Sequence, residues 1–299
     1  MPSVLVLMST YNGEKYIVEQ IESIINQKEV DVTILIADDC STDNTTRILE
    51  EYSIKYENIK YIVNEKNKNF TYNFIDLIFK CNDLVGYFDY YALSDQDDVW
   101  LDRKLINGIS KISDDSPMLY MSNLNAVDAD LNFLRKKQED GCNGCNHNNY
   151  VFENICTGCT CIFNNKFLDR LKEYYPNNIY LHDYWIFLVA AYTAYFVYDD
   201  NSYILYRQHN NNQLGLRKKR TLFHKIKMCF KKGKRTESKL CFELLKGYEK
   251  YIDSKYDVIK YMTVYKKKIN IKLKLMFSKK YKRRTDNFEK KIKLLFNKY

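Results

Sequence analysis

The sequence predicts an α/β fold, a mostly parallel central sheet flanked by helices, followed by a basic helical C-terminal region. Three observations predict it. Short, wholly apolar runs (Val4 to Met8, Val32 to Ala37) alternate with segments whose apolar residues recur at helical spacing. Each of these runs ends in a cluster of polar residues. Beyond about residue 215 the alternation stops and Lys and Arg dominate.

Taken in order, Val4 to Met8 reads as a buried strand ending in Ser9-Thr10-Tyr11-Asn12-Gly13. Ile17, Ile21, Ile24 and Ile25 then share one helical face. Val32 to Ala37 is a second buried strand. Ser41 suits the N-cap, and Asp43 the first turn, of a helix carrying Ile48, Leu49 and Tyr52. Ile59 to Val63 predicts a third strand and Phe70 to Phe79 a third helix. Tyr91-Ala92-Leu93 leads into a run of carboxylates, and a helix starts near Asp102. Met118 to Met121, Thr157 to Phe163 and Tyr203 to Arg207 read as further strands, with a hairpin turn at Val127 to Leu131 and a mobile polar loop over 136–150. Strands alternating with helices imply βαβ units and a mostly parallel sheet, whose ligands bind at the carboxyl ends of strands. The polar clusters after Met8, Ala37 and Leu93 lie at such ends.

Composition excludes several classes. At 299 residues the chain suits a domain over 1–215 and a basic helical region over 216–299. Its 9 Cys, an odd number spread over the whole length, do not form a secreted disulfide framework. The run Val4 to Met8 is too short for a signal peptide, so a reduced cytoplasm is the expected compartment. Tyr184 to Tyr198 carries no charge but falls short of the roughly 17–25 residues of a membrane-spanning helix. Closed off by Asp183 and Asp199, it reads as a buried helix running into a buried strand.

Ser94-Asp95-Gln96-Asp97-Asp98-Val99-Trp100 places three carboxylates within four residues. Mutual repulsion at a buried strand's end makes sense where a cation sits, and hard divalent ions take oxygen ligands shared with phosphates. A solvated turn is the alternative. In Asp38-Asp39-Cys40-Ser41-Thr42-Asp43 a carboxylate can accept from a pyrimidine N–H or ribose hydroxyls, alongside ordinary helix capping.

Together, Met8 to Glu14, Ala37 to Asp43 and Asp95 to Trp100 resemble, in order and spacing, the family 2 glycosyltransferases, which have the nucleotide-diphospho-sugar transferase (GT-A) fold; the resemblance covers about residues 1–215. Leu93 to Trp100 and Tyr206-Arg207-Gln208-His209 are similar to the bacterial branch that includes rhamnosyltransferases. The resemblance implies that Thr10, Tyr11, Asn12 and Glu14 line the nucleotide pocket, that Asp39 holds the base and Asp95 the ribose, and that Asp97 ligates Mg²⁺ or Mn²⁺ on the diphosphate. It also implies a base at Asp183, in Leu181-His182-Asp183-Tyr184-Trp185, to deprotonate the acceptor hydroxyl of an inverting transfer. His182 stands where relatives often carry an acidic residue. For Asp183 the alternative is a helix N-cap. His209 follows a strand; late histidines of metal-dependent relatives close the metal or diphosphate site, and the alternative is a surface histidine.

Two motifs remain. Cys142-x-x-Cys145 with Cys156-x-x-Cys159 has thiolate-ligand spacing, but the knuckles are closer than in the usual zinc ribbon, and Thr157-Gly158-Cys159-Thr160 resembles a family segment near the acceptor site. The basic tail lacks a nucleic-acid-reading motif, so no nucleic acid is expected; contact with anionic lipid at the inner face of the membrane, or a plain solvated appendage, remains open. The expected partners are a nucleotide-sugar donor (dTDP-rhamnose, UDP-glucose or UDP-galactose) and a saccharide or lipid-linked saccharide acceptor in surface polysaccharide synthesis. A catalytically inactive, sugar-nucleotide-binding or scaffolding partner is the rival.

Overall fold

The computed structural model describes residues 1–137, 142, 145–209, 236–284 and 286–299. They belong to two compact units, the first made of Met1–Gly141, Cys156–Glu173 and Ala194–Leu216, the second of Cys142–Ile155, Tyr174–Thr193 and Arg217–Tyr299. The boundary expected near 215, the helical pattern at Leu222 to Phe230 and part of the loop expected over 136–150 lie outside the described residues. The segment Tyr174–Thr193, which the sequence reading places in the first domain, gathers with the C-terminal helices.

The first unit holds a nine-stranded sheet. Its strands are β1 (Ser3–Thr10), β2 (Asp31–Asp38), β3 (Ile59–Val63), β4 (Tyr90–Ser94), β5 (Val99–Trp100), β6 (Met118–Val127), β7 (Phe133–Lys136), β8 (Ile162–Asn164) and β9 (Tyr195–Arg207). They run in the order β3-β2-β1-β4-β8-β6-β9-β5, with β7 on β6. The first four are mutually parallel, as alternation with helices requires; β8 then pairs antiparallel with β4 and opens a mixed half. Val4 to Met8 are fully buried, which is why β1 reads as an unbroken apolar run with no alternation.

Crossovers through α1 (Ile17–Ile25) and α2 (Thr45–Lys55) step outward from β1 to β3, and α3 (Asn69–Val85) returns the chain to the other side of β1. The direction of winding therefore reverses between β1 and β4, where open α/β sheets bind ligands. α1 buries Ile17, Ile21 and Ile24, as its spacing predicts. α3 outruns its predicted end and stops at Gly86, whose φ of 86° is left-handed. Ser41 does not cap α2: Asn44 precedes that helix, while the Ser41 hydroxyl donates to Asp38. The strand predicted over Thr157 to Phe163 is instead a 3₁₀ turn, Gly158–Thr160, followed by β8, because the Thr157 carbonyl accepts from both the backbone N–H and the hydroxyl of Thr160. Two short helices, α4 (Lys104–Ile109) and α5 (Asn165–Lys172), complete the unit.

The second unit is helical: α6 (His182–Thr193), α7 (Glu237–Tyr248), α8 (Asp257–Val264), α9 (Ile269–Phe277) and α10 (Asn287–Leu295). α6 is buried from Tyr184 to Tyr192, so its apolar run is a core helix, as predicted. Its continuation β9 is less buried than expected, with Tyr195 exposed and Phe196 to Tyr198 half-buried. No described helix is long and apolar enough to cross a membrane.

Candidate active site

Register carries the carboxyl ends of β1, β2 and β4 to one edge, with Thr10 beside Asp38 and Met8 beside Ser94. The loops that follow are tied to one another. Asn12 adopts a left-handed φ of 49°; its backbone N–H donates to the Ser41 hydroxyl, and its side-chain oxygen accepts from the Thr42 N–H, each at 2.8 Å. The Glu14 carboxylate accepts from the backbone N–H and side-chain amide of Asn44, also at 2.8 Å. Asp43 accepts the Glu14 N–H at 3.1 Å and precedes α2 rather than lying in its first turn. Asn12 and Glu14 thus brace the loop that carries Asp39.

Gln96, unassigned from the sequence, spans the switch between β1 and β4. Its side-chain oxygen accepts from the Thr10 hydroxyl at 2.6 Å and the Tyr11 N–H at 2.8 Å, and its amide donates to the Tyr11 carbonyl at 3.1 Å. A Cβ on Gly13 would meet that oxygen at 2.5 Å, so a side chain there would push Gln96 out of these bonds. Tyr11 projects outward, 42% exposed. Asp39 is buried, its carboxylate accepting from the Asn64 amide at 3.0 Å and the Lys68 N–H at 2.8 Å.

The three carboxylates after β4 differ in surroundings. Asp97 lies 2.8 Å from Nε2 of His209; burial pushes its carboxyl up and the imidazole pulls it back down. Asp98 is completely buried, one oxygen accepting the Arg207 N–H at 3.1 Å. Burial first, then Asp97 and Asp95, hold its carboxyl well above the usual carboxylate range. Asp95, Asp98 and Cys159 bring ligand atoms within 4.8 Å of one another, the one such group of three or more among the described residues. Burial also raises the Cys159 thiol strongly, and a thiol is a poor partner for a hard cation. The Asp97 carboxylate and His209 imidazole are less deeply buried; the carboxylate offers the oxygen that suits Mg²⁺ or Mn²⁺, and the imidazole nitrogen suits Mn²⁺ rather than Mg²⁺, with Asp95 close in sequence.

Arg207 organises this arrangement from beneath. It is 3% exposed, and its guanidinium donates to the Asp97 carbonyl at 3.0 Å, to the Ala129 carbonyl and to the Glu19 carboxylate. It also lies 4.5 Å from the centre of the Tyr16 ring, which packs 5.0 Å from the His209 ring. Lys104, buried to 1%, sets its ammonium 3.5 Å from the Trp100 ring centre; burial pushes it down to about 7. Neither residue was given a role from the sequence, although Arg207 lies in the Tyr206-Arg207-Gln208-His209 segment that carries the resemblance.

Comparison with known proteins decides the family. The model of glycosyl transferase family 2 matches residues 5–196. The dTDP-rhamnosyl transferase RfbG of Shigella flexneri is 40% identical over 217 residues, 70% of this chain and 73% of that protein. The chain belongs to glycosyl transferase family 2. This glycosyltransferase also shares its fold with solved GT-A structures. S. aureus TarS 1–349 in complex with UDP matches with a TM-score of 0.58 at 17% identity, over 92% of this chain and 72% of that one. The mannosyltransferase PcManGT of Pyrobaculum calidifontis, in complex with GDP-Man and Mn²⁺, matches at 0.55 and 13% identity, over 92% and 71%.

In the second unit of the transferase, α6 opens at His182, and the Leu181 carbonyl takes the first helical N–H, that of Trp185. Asp183 therefore sits inside the first turn, not at the cap, and its carboxylate accepts from the Asn154 amide at 3.2 Å. A helix N-terminus favours a charged carboxylate there. His182 is buried, and that burial pushes it down to about 3, so it adds no positive charge beside Asp183 at neutral pH. The cysteines considered for zinc divide between the units: Cys142 and Cys145 belong to the second, Cys156 and Cys159 to the first, where Cys159 instead faces Asp98.

Proposed function

We propose that this transferase moves a sugar, with inversion, from a nucleoside diphosphate donor, dTDP-rhamnose before UDP-glucose or UDP-galactose, to a saccharide or lipid-linked saccharide acceptor at the inner face of the membrane. The transfer machinery is assigned to residues 1–215, with 216–299 as a basic helical appendage. The observation that carries the reading is the approach of His209 to Asp97 at the end of β4. There a divalent ion, Mg²⁺ or Mn²⁺, would neutralise charge developing on the departing diphosphate. Its ligands would be Asp97 and His209, with Arg207 fixing both.

The remaining residues bind and orient. Thr10, Tyr11, Asn12 and Glu14 form the nucleotide-facing loop that Gln96 pins, Asp39 holds the base, and Asp95 the ribose. Asp183 accepts the proton of the acceptor hydroxyl as that oxygen attacks the anomeric carbon from the face opposite the diphosphate. The similarity to the S. flexneri dTDP-rhamnosyl transferase supports the choice of donor.

A panel of nucleotide sugars tests this by thermal shift and nucleotide release, with Mn²⁺, Mg²⁺ or EDTA. A donor bound only by the folded state raises the melting midpoint, and dTDP-rhamnose with Mn²⁺ is expected to raise it most. A UDP-sugar that outperforms it would reassign the donor. No nucleotide release with any donor, with or without a shift of the midpoint, would favour the inactive-partner reading.

A further inference from the structure

A surface helix of a soluble protein ordinarily turns polar residues outward. α9 does not. Leu275 and Met276 are buried, yet Ile269, Leu273 and Phe277, spaced i, i+4, i+8 in a row beside Met276 and facing away from Leu275, are 67%, 47% and 63% exposed. The apolar surface of the helix is wider than the part its neighbours cover. The stripe continues onto α10. The Lys291 ammonium lies 5.2 Å from the centre of the Phe277 ring, and Phe288 and Leu295, three residues before and four after Lys291 on the same helical face, are also exposed.

Around the α9 part of the stripe the charge has one sign. From Val258 to Arg284 the chain contains no Asp or Glu. Lys272 flanks the apolar row on one side and Lys274 on the other, with Lys267, Lys268 and Lys279 exposed at the ends of α9. An exposed apolar row rimmed by lysines matches a surface that is anionic outside and apolar a few ångströms below, because lysine stems can lie along hydrocarbon while their ammonium groups stay at phosphate level. A protein partner recognised by the row alone would not require that uniform positive rim.

We infer that α9 is an interfacial membrane anchor: Ile269, Leu273 and Phe277 enter the headgroup–acyl boundary of an anionic bilayer while the flanking lysines contact lipid phosphates. This deepens the membrane-face placement proposed above by naming the face that makes the contact. It can fail without touching the transfer chemistry, because the test is read with neither donor nor acceptor present.

The full-length protein is sedimented with neutral phosphatidylcholine vesicles and with vesicles containing phosphatidylglycerol, at low and high salt. Binding is expected to the anionic vesicles only. Leu273→Ser with Phe277→Ser should reduce the partition constant at least tenfold, and Lys268→Gln with Lys272→Gln by a similar factor, at about fivefold per lysine. Lys268, Leu273 and Phe277 are exposed and Lys272 is half-buried, so little change in melting is expected and is checked for each variant. Salt-sensitive binding that survives loss of Leu273 and Phe277 would overturn insertion and leave simple electrostatic adsorption. Equal binding to neutral and anionic vesicles would overturn the role of the lysines. A wild-type dimer that the Ser variant converts to monomer, with no vesicle binding by either, would reassign the face to a second copy of the chain.

Discussion

Nε2 of His209 lies 2.8 Å from a carboxylate oxygen of Asp97, joining the turn after β4 to the residue two beyond the end of β9. The two are 112 residues apart, and each is held by a different arm of Arg207: Asp97 through its carbonyl, His209 through the intervening Tyr16 ring. As an O,N donor pair, neither residue replaces the other. Asp97→Asn and His209→Ala should each abolish the Mn²⁺-dependent part of donor binding, measured calorimetrically with and without metal, while melting stays near wild type. Donor affinity unchanged in the presence of Mn²⁺ would remove the pair from the metal site.

Arg207 yields a separable prediction because it acts through geometry. Lysine keeps the charge but loses the planar fork that serves the Asp97 and Ala129 carbonyls and Glu19 together. Arg207→Lys should fold, yet need roughly tenfold more Mn²⁺ for half-maximal donor binding, equivalent to about 1.4 kcal/mol. Arg207→Met should lose stability as well, since it strands buried carbonyls. A Lys variant with wild-type metal affinity would make Arg207 a purely structural residue.

How far the sequence was legible follows from where each signal resides. β1 and β2 announce themselves because strands buried on both faces need unbroken apolar runs, and the polar loops after them mark the ligand edge of a parallel sheet. The carboxylate cluster that contains Asp97 stood out because like charges crowd the end of a buried strand, and the family resemblance singled out Asp97 within it. The roles of Arg207 and Gln96 were not legible, although both lie within segments that carry the resemblance: they are hydrogen bonds to groups 78 to 188 residues away, and such contacts cannot be read from a local pattern. Lys104 shows the same limit. Its spacing suits either a solvated or a buried face of α4, and only the packing with Trp100 buries it. The grouping of α6 with the C-terminal helices was hidden for a related reason, since an all-apolar helix does not say which elements cover it.

The buried Lys104 implies a pH-dependent stability whose sign can be worked out. Its folded value, about 7, lies below the usual 10.5, so between those values the unfolded chain binds a proton that the folded chain does not. Stability is therefore fully present above 10.5 and is lost as pH falls through 7. Lys104→Met removes the titrating group and keeps most of the packing. Near pH 7 the variant should be the more stable by on the order of a few kcal/mol, less whatever the lysine gains from the Trp100 face. The gap should close as pH approaches 10.5, which melting curves of both proteins across pH 6.5 to about 10.5 would reveal. A variant melting below wild type at pH 7 would instead make the ammonium a required counter-charge for Asp98.

Asp183 gives the prediction that bears most directly on the chemistry. Its place inside the first turn of α6 means that the carboxylate is not needed to cap the helix, while the positive end of that helix favours the ionised form a base requires. Asn at this position keeps the size of the side chain and an oxygen to accept from the Asn154 amide, yet cannot take a proton. Loss of a general base costs about 10²–10⁴ in rate. Asp183→Asn should therefore show donor affinity and melting temperature near wild type, with transfer to acceptor reduced by that range. Donor binding separates this outcome from damage at the nucleotide loops, and melting separates it from damage to the second unit. Added azide or formate, small anions able to accept a proton, should restore part of the rate to Asp183→Ala, which leaves room for them, and none to Asp183→Asn, which does not. Near wild-type transfer by Asp183→Asn would remove Asp183 from the reaction and leave the acceptor hydroxyl to another base.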